Sequence, residues 1–189
     1  MLQANLPNGL PGVRARAMTL VDVPAVHTLE SQLFPADAWP LDMFLAEIVH
    51  PTRGYIVLET VQEGRNEAEI IGYAGLMSIA ETADVQTIAI DPRHEGKGYG
   101  RALLDFLARE AAVRGAEQIL LEVRADNARA QDLYQRNGYQ QIHVRRGYYN
   151  DGVDALIMRK ELLAPASTPN DDATSTTPEP TIESEAHHD

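Results

Sequence analysis

Cysteine is absent from all 189 positions, which removes disulfide frameworks, Cys-ligated zinc and thiol nucleophiles. Long apolar runs are missing too: nothing approaches the roughly 18 residues of a membrane span. The opening "MLQANLPNGLPGVRARAM" lacks the basic start and continuous apolar stretch of a secretion signal. A cytoplasmic protein is the expectation, with no membrane partner. Positive charge is scarce, 16 Lys and Arg against 28 Asp and Glu for a net −12. That balance argues against sequence-independent nucleic-acid binding, which needs clustered cations, and would suit a basic peptide. His27, His50, His94 and His143 stand without metal-ligand spacing, so no metal site is expected.

The charge is uneven. From Ala164 onward the chain carries six acidic residues and no Lys or Arg, leaving −6 on residues 1–163. That last stretch, with His187 and His188, is rich in Pro, Ser and Thr and too poor in large apolar residues to offset its ordering entropy, so disorder is expected over 164–189. The first 163 residues suit one globular domain.

Periodicity orders that domain. "GVRARAMT" predicts a strand over 12–19, and Asp22 with Pro24 opens an amphipathic helix through Val26, Leu29, Glu30 and Leu33. A short helix over 41–49 follows. β-branched runs at 55–61 and 70–79 predict a hairpin across a polar loop, with a third strand at 84–90. A helix follows the glycines and is capped by Gly115, then come a strand at 118–123, a helix over 127–137 ended by Gly138, and strands at 139–149 and 154–162. The expected architecture is an α/β layer structure with a mixed sheet.

"HEGKGYGRALL", residues 94–104, places Gly96, Gly98 and Gly100 at alternate positions between a strand and a helix. Bare backbone there lets N–H groups converge on one anion, and the helix N-terminus adds about half a positive charge. This is no P-loop, since no Lys-Ser or Lys-Thr pair follows. A Rossmann fingerprint from Gly98 would need glycine or alanine where Leu103 stands. A ligand-free glycine turn is an equal reading of the glycines alone.

"IAIDPRHEGKGYGRALL" resembles the acetyl-CoA-binding motif of the GNAT superfamily. "LFPADAWPLDMF", "LLEVRADNARAQDLYQRNGY" and "RRGYYNDGVDALIM" narrow the likeness to the RimI family of ribosomal-protein-alanine N-acetyltransferases, over about residues 13–162. The resemblance implies a GNAT fold, a mostly antiparallel sheet of about seven strands with about four helices. It implies acetyl-CoA as cosubstrate, with Gly96, Lys97, Gly98, Tyr99, Gly100 and Arg101 around its pyrophosphate. Main-chain groups of Ile88, Ala89 and Ile90 would lie along the pantetheine arm and thioester, and Asn127 would touch the cofactor. Glu122 would be the general base and Tyr134 the general acid. Glu95 departs from the usual arginine or glutamine, and a register begun at Arg93 also satisfies the spacing. Gly147 stands where a polar residue is usual.

Read as bare residues, Glu122 is equally a rim carboxylate paired with Arg124, Tyr134 a core aromatic, Asn127 a helix cap, and Tyr148 with Tyr149 an aromatic pair at a strand end. An α-amine has a pKa of about 8, so an amine acceptor needs a base near neutral pH. Without cysteine, or a serine in a nucleophile motif, direct transfer in a ternary complex is expected. The implied acceptor is the N-terminal alanine of a ribosomal protein, small-subunit protein eighteen. The alternatives are a lysine or small-molecule amine, or a non-catalytic acyl-CoA-binding module. Lysine is about 3 kcal/mol harder to deprotonate than an α-amine, which favours the first.

Overall fold

The computed structural model describes residues 12–61 and 68–162. The expected disordered tail, His187, His188 and most of the polar loop after residue 61 lie outside the described residues. Within them the chain runs β1 (Val13–Ala17), α1 (Val23–Leu33), α2 (Leu41–Ile48), β2 (Arg53–Thr60), β3 (Ile70–Ile79), β4 (Thr82–Ile90), α3 (Tyr99–Val113), β5 (Gln118–Arg124), α4 (Ala128–Arg136), β6 (Gln140–Arg145) and β7 (Ala155–Glu161). The strands form one sheet in the order β1-β2-β3-β4-β5-β7-β6. Only β4 and β5 run parallel, and α3 supplies the crossover such a pair needs. This is the mostly antiparallel, seven-stranded GNAT architecture the sequence implied.

Both faces of the sheet are covered, which explains why β2 and β3 read as nearly unbroken apolar runs. On one face Leu103, Leu104, Leu107 and Ala111 of α3 bury against Ile56, Leu58, Ile71 and Leu76. On the other, Val23, Val26 and Leu29 of α1 and Phe44 of α2 pack on Tyr55, Val57 and Tyr73. Each such side chain contributes about 1.5–3 kcal/mol by leaving water. Truncating the fully buried Leu107 to alanine would cost about 2–5 kcal/mol.

Three details depart from the sequence expectations. Tight 3₁₀ turns form at Leu20–Asp22 and Pro92–His94. Asp22 does cap α1, but its carboxylate serves Thr19 and Arg16 rather than the first turn of that helix. The strand expected over 139–149 ends at Arg145, because Gly147 takes φ +57° and donates its N–H to Asp154 at 2.8 Å. Tyr148 and Tyr149 are therefore loop residues.

Candidate active site

The parallel pair is the origin of the site. β4 and β5 are bonded only where Thr82, Ala83 and Asp84 face Gln118, Ile119 and Leu120, although β4 runs on to Ile90 and β5 to Arg124. A bulge explains the parting: in β4 against β3, Thr87 faces Gly75 and Val85 faces Leu76, leaving Gln86 as the extra residue. A bulge bends its strand and raises its twist, here just beyond the last β4–β5 pair. Residues 85–90 and 121–124 then line the two walls of a cleft of about 640 Å³. The β4 edge that β5 has left carries main-chain donors and acceptors without a neighbouring strand, and Ile88, Ala89 and Ile90 lie along it.

At one end of the cleft stands the glycine loop. Gly96 and Gly98 take φ +73° and +83°, and a Cβ at either would meet nothing within 4 Å. Their glycine requirement is conformational. Gly98 is the N-cap of α3, so the N–H groups of Tyr99, Gly100 and Arg101 belong to a first turn without intrahelical acceptors. Gly100 differs: it lies inside the helix, and a Cβ there would come 3.2 Å from Leu133 Cδ2 of α4. That neighbour is the movable end of a leucine side chain, so the spatial requirement for glycine here is slight. An open cradle of left-handed backbone at the mouth of a 15-residue helix fits a pyrophosphate.

Glu95 is neutralised by Arg129 of α4. Arg101 pairs with Asp105 of its own helix at 3.7 Å. Lys97 is exposed and is the one residue of the expected phosphate set outside the cleft lining. The register from Arg93 loses its support, since that guanidinium binds Asp91 at 2.6 Å and Glu69 at 2.7 Å and does not line the cleft.

α4 positions two more residues. Asn127 caps it, Oδ1 accepting from the N–H of Ala130 at 3.0 Å, while lining the cleft. Tyr134, two turns on, is 8 % exposed and still reaches the cleft wall. Burial, and secondarily Tyr149, pushes its phenol up to about 12. It is therefore a neutral donor near pH 7.

Glu122 lies in β5 opposite Ile157 of β7, where the strand alternation buries Leu121 and Val123 and leaves Glu122 on the other face. Its expected pairing with Arg124 is not what the structure contains. Glu122 Oε1 accepts from Arg145 Nη1 at 2.6 Å, and that guanidinium stacks 4.1 Å from the Tyr148 ring. A hydrogen bond to Glu122 also pushes the Tyr148 phenol up. Arg124 is drawn away by Asp151 at 2.6 Å and by Asp37 and Asp126 at 3.0 Å, and lies 4.7 Å from the Tyr149 ring. The bond from Asn150 to Ala36 reinforces this knot, which ties the loop after α1 to the β6–β7 loop beside the cleft.

The sequence did not single out Glu30 as a cleft residue. It is 3 % exposed yet contributes to the lining. Its signal was available, a carboxylate inside the apolar stripe of α1. Among the described residues no group of three or more His, Asp or Glu could hold a metal ion, and no helix is long and apolar enough to cross a membrane.

Residues 23–139 match the model of the acetyltransferase (GNAT) family. The chain is 37 % identical over 151 residues to the N-alpha-acetyltransferase RimI of Mycobacterium tuberculosis, covering 77 % of this chain and 90 % of that one. It is 33 % identical over 145 residues to the [ribosomal protein bS18]-alanine N-acetyltransferase of Escherichia coli K12, covering 75 % and 93 %. The crystal structure of the Escherichia coli ribosomal-protein-alanine N-acetyltransferase superposes with a TM-score of 0.69 at 31 % identity, over 82 % of this chain and 98 % of that one. A cleft opened by parting parallel strands, with a glycine cradle at its end, thus coincides with a family match over most of the fold: the chain belongs to the GNAT acetyltransferases, in their RimI group, and uses acetyl-CoA as acetyl donor.

Proposed function

We propose that this enzyme acetylates the N-terminal α-amine of ribosomal protein bS18, at alanine, by direct transfer within a ternary complex. The observation that carries this reading is that Glu122 and Tyr134, from β5 and α4, line one cleft beside the open edge of β4. The names and coverage of the relatives support the acceptor.

Acetyl-CoA supplies the activated acyl carbon and a thiolate leaving group. Gly96, Gly98 and the first turn of α3 hold the pyrophosphate through N–H groups, with Tyr99, Gly100, Arg101 and Asn127 around it, and Lys97 contributes charge from outside the cleft. Main-chain groups at Ile88, Ala89 and Ile90 hold the arm and polarise the acetyl carbonyl. Glu122, directly or through one water, takes a proton from the acceptor ammonium, whose pKa of about 8 leaves it mostly unreactive at pH 7. The freed amine attacks the acetyl carbon; as the C–S bond breaks, Tyr134 Oη gives its proton to the departing sulfur, and the second proton lost by the new amide nitrogen restores Tyr134 through solvent.

The test is thiol release from acetyl-CoA with short peptides bearing free N-terminal Ala, Ser, Gly or Met, beside an N-blocked lysine peptide. Turnover confined to small free N-termini, and reduced by about 10²–10⁴ in Glu122→Gln, is expected. Preference for the blocked lysine peptide, or full activity in Glu122→Gln, would overturn it.

A further inference from the structure

Glu30 joins three parts of the fold beside the β4 edge. It projects from α1; its Oε1 accepts from the backbone N–H of Trp39 at 3.2 Å, in the loop before α2. Its Oε2 accepts from the Tyr73 hydroxyl of β3, and Thr87 of β4 lines the same cleft as Glu30. Aromatic rings cover this hub, Trp39 packing 5.5 Å from Phe44 and Phe44 6.2 Å from Tyr73. Thr87 lies next to Ile88 on the open edge of β4, and Leu33, Phe34 and Trp39 line the cleft facing it.

Stability does not account for a carboxylate here. Val26 and Leu29 on the same helix face are apolar and fully packed, and among the described residues no Lys or Arg is hydrogen-bonded to the Glu30 oxygens, His27 acting on them only through space. Burying a carboxylate on uncharged hydrogen-bond donors carries a desolvation cost that an apolar side chain avoids. Burial accordingly pushes the Glu30 carboxyl up, against the opposing bonds from Tyr73 and Trp39. What an apolar residue could not do is hold a loop amide and a β3 hydroxyl at one point beside the β4 edge.

We infer that Glu30 is a positioning residue for the acceptor side of the cleft, fixing the loop that carries Trp39 at a set distance from the β4 edge where transfer occurs. This rests on the reading above, in which the acceptor amine enters between that loop and the parted strands.

Trp39 is the only tryptophan of the chain, so its fluorescence reports the loop whatever the acceptor. The full-length protein would be compared with Glu30→Gln and with the double variant Glu30→Leu/Tyr73→Phe, which removes the carboxylate and its hydroxyl partner together and keeps the core apolar. In the double variant we expect red-shifted Trp39 emission, greater acrylamide quenching, and a KM for an Ala-initiated peptide raised roughly tenfold while that for acetyl-CoA stays within about twofold. Glu30→Gln, which keeps one carbonyl acceptor, falls between. Unchanged Trp39 emission with unchanged peptide KM, or equal rises in both KM values, overturns the inference. If the unaltered enzyme uses no peptide amine, the functional proposal fails, and the Trp39 readout alone decides the role of Glu30.

Discussion

Replacing Gly98 with alanine separates the conformational role of the glycine loop from its spatial one. Gly98 caps α3 at φ +83°, and an added Cβ would meet no atom within 4 Å. No clash contributes. What remains is the left-handed backbone, which costs a non-glycine residue about 1–2 kcal/mol. The reduced freedom of the unfolded chain offsets about 0.4–1 kcal/mol of it, leaving roughly 1 kcal/mol of destabilisation, or about 2–4 °C in Tm for a domain of this size. If the loop instead relaxes to negative φ, the N–H groups at the helix mouth turn away from the phosphate and the loss moves into cofactor binding. Gly100→Ala is the control: its backbone is helical, alanine there is favoured by about 1 kcal/mol, and its only close neighbour is the flexible end of Leu133 at 3.2 Å. Thermal melts with and without acetyl-CoA, and steady-state thiol release, should show Gly98→Ala with a lower Tm and an acetyl-CoA KM raised about tenfold, and Gly100→Ala within about 0.5 kcal/mol of the parent. Gly98→Ala indistinguishable from the parent in both assays, or Gly100→Ala the more damaging, would refute the reasoning.

Tyr134→Phe should lower kcat by about 10²–10⁴ with little change in acetyl-CoA KM, and a kcat within threefold of the parent would remove Tyr134 from proton transfer. Because burial holds the Tyr134 phenol up to about 12, the acid stays protonated throughout the working range. The value of kcat/KM should therefore show no loss from ionisation of the acid up to about pH 10, and an alkaline fall that vanishes in Tyr134→Phe would contradict it. Away from the cleft, Arg16 grips Asp22 through two 2.7 Å bonds and holds its carboxyl down at about 2, from 3.8. A depressed folded-state pKa means stability that is present above the unfolded value and lost as pH falls through the folded one. Asp22→Asn should then cost about 1–2 kcal/mol in urea unfolding at pH 7, allowing for the partial exposure of Arg16, with the gap shrinking as pH falls from about 4 towards 2. A gap that ignores pH would show that the pair is not responsible.

Most of the architecture was legible in the sequence because it rests on local periodicity. Val26, Leu29 and Leu33 repeat at helical spacing, and Leu103, Leu104, Leu107 and Ala111 do the same in α3. The element order and the α/β class follow from them. Asn127 as a cap and Gly115 and Gly138 as helix stops were equally local, each set by a single residue's hydrogen bond or positive φ. The premature end of β6 was not, since Gly147 bonds to Asp154 across the turn.

The ionic partners in the cleft were beyond reach for the same reason. Glu122 and Arg145 are 23 residues apart, Glu95 and Arg129 are 34, and Arg124 and Asp37 are 87. Spacing in the chain carries no information about which charges the sheet order brings together, and it favoured the neighbour Arg124 for Glu122 where the fold supplied Arg145. Glu30 shows both limits: its place in an apolar stripe was visible, but Tyr73, Trp39 and Thr87 meet it only after α1 docks on the sheet. The sequence by itself determined the helices, the strands and the glycine cradle, because each depends on residues within a turn or two of one another. The parting of β4 from β5, the cleft it opens and its long-range ion pairs, Glu122 with Arg145, Glu95 with Arg129 and Arg124 with Asp37, were decided by tertiary packing, because contacts between distant segments exist only once the sheet has closed their separation.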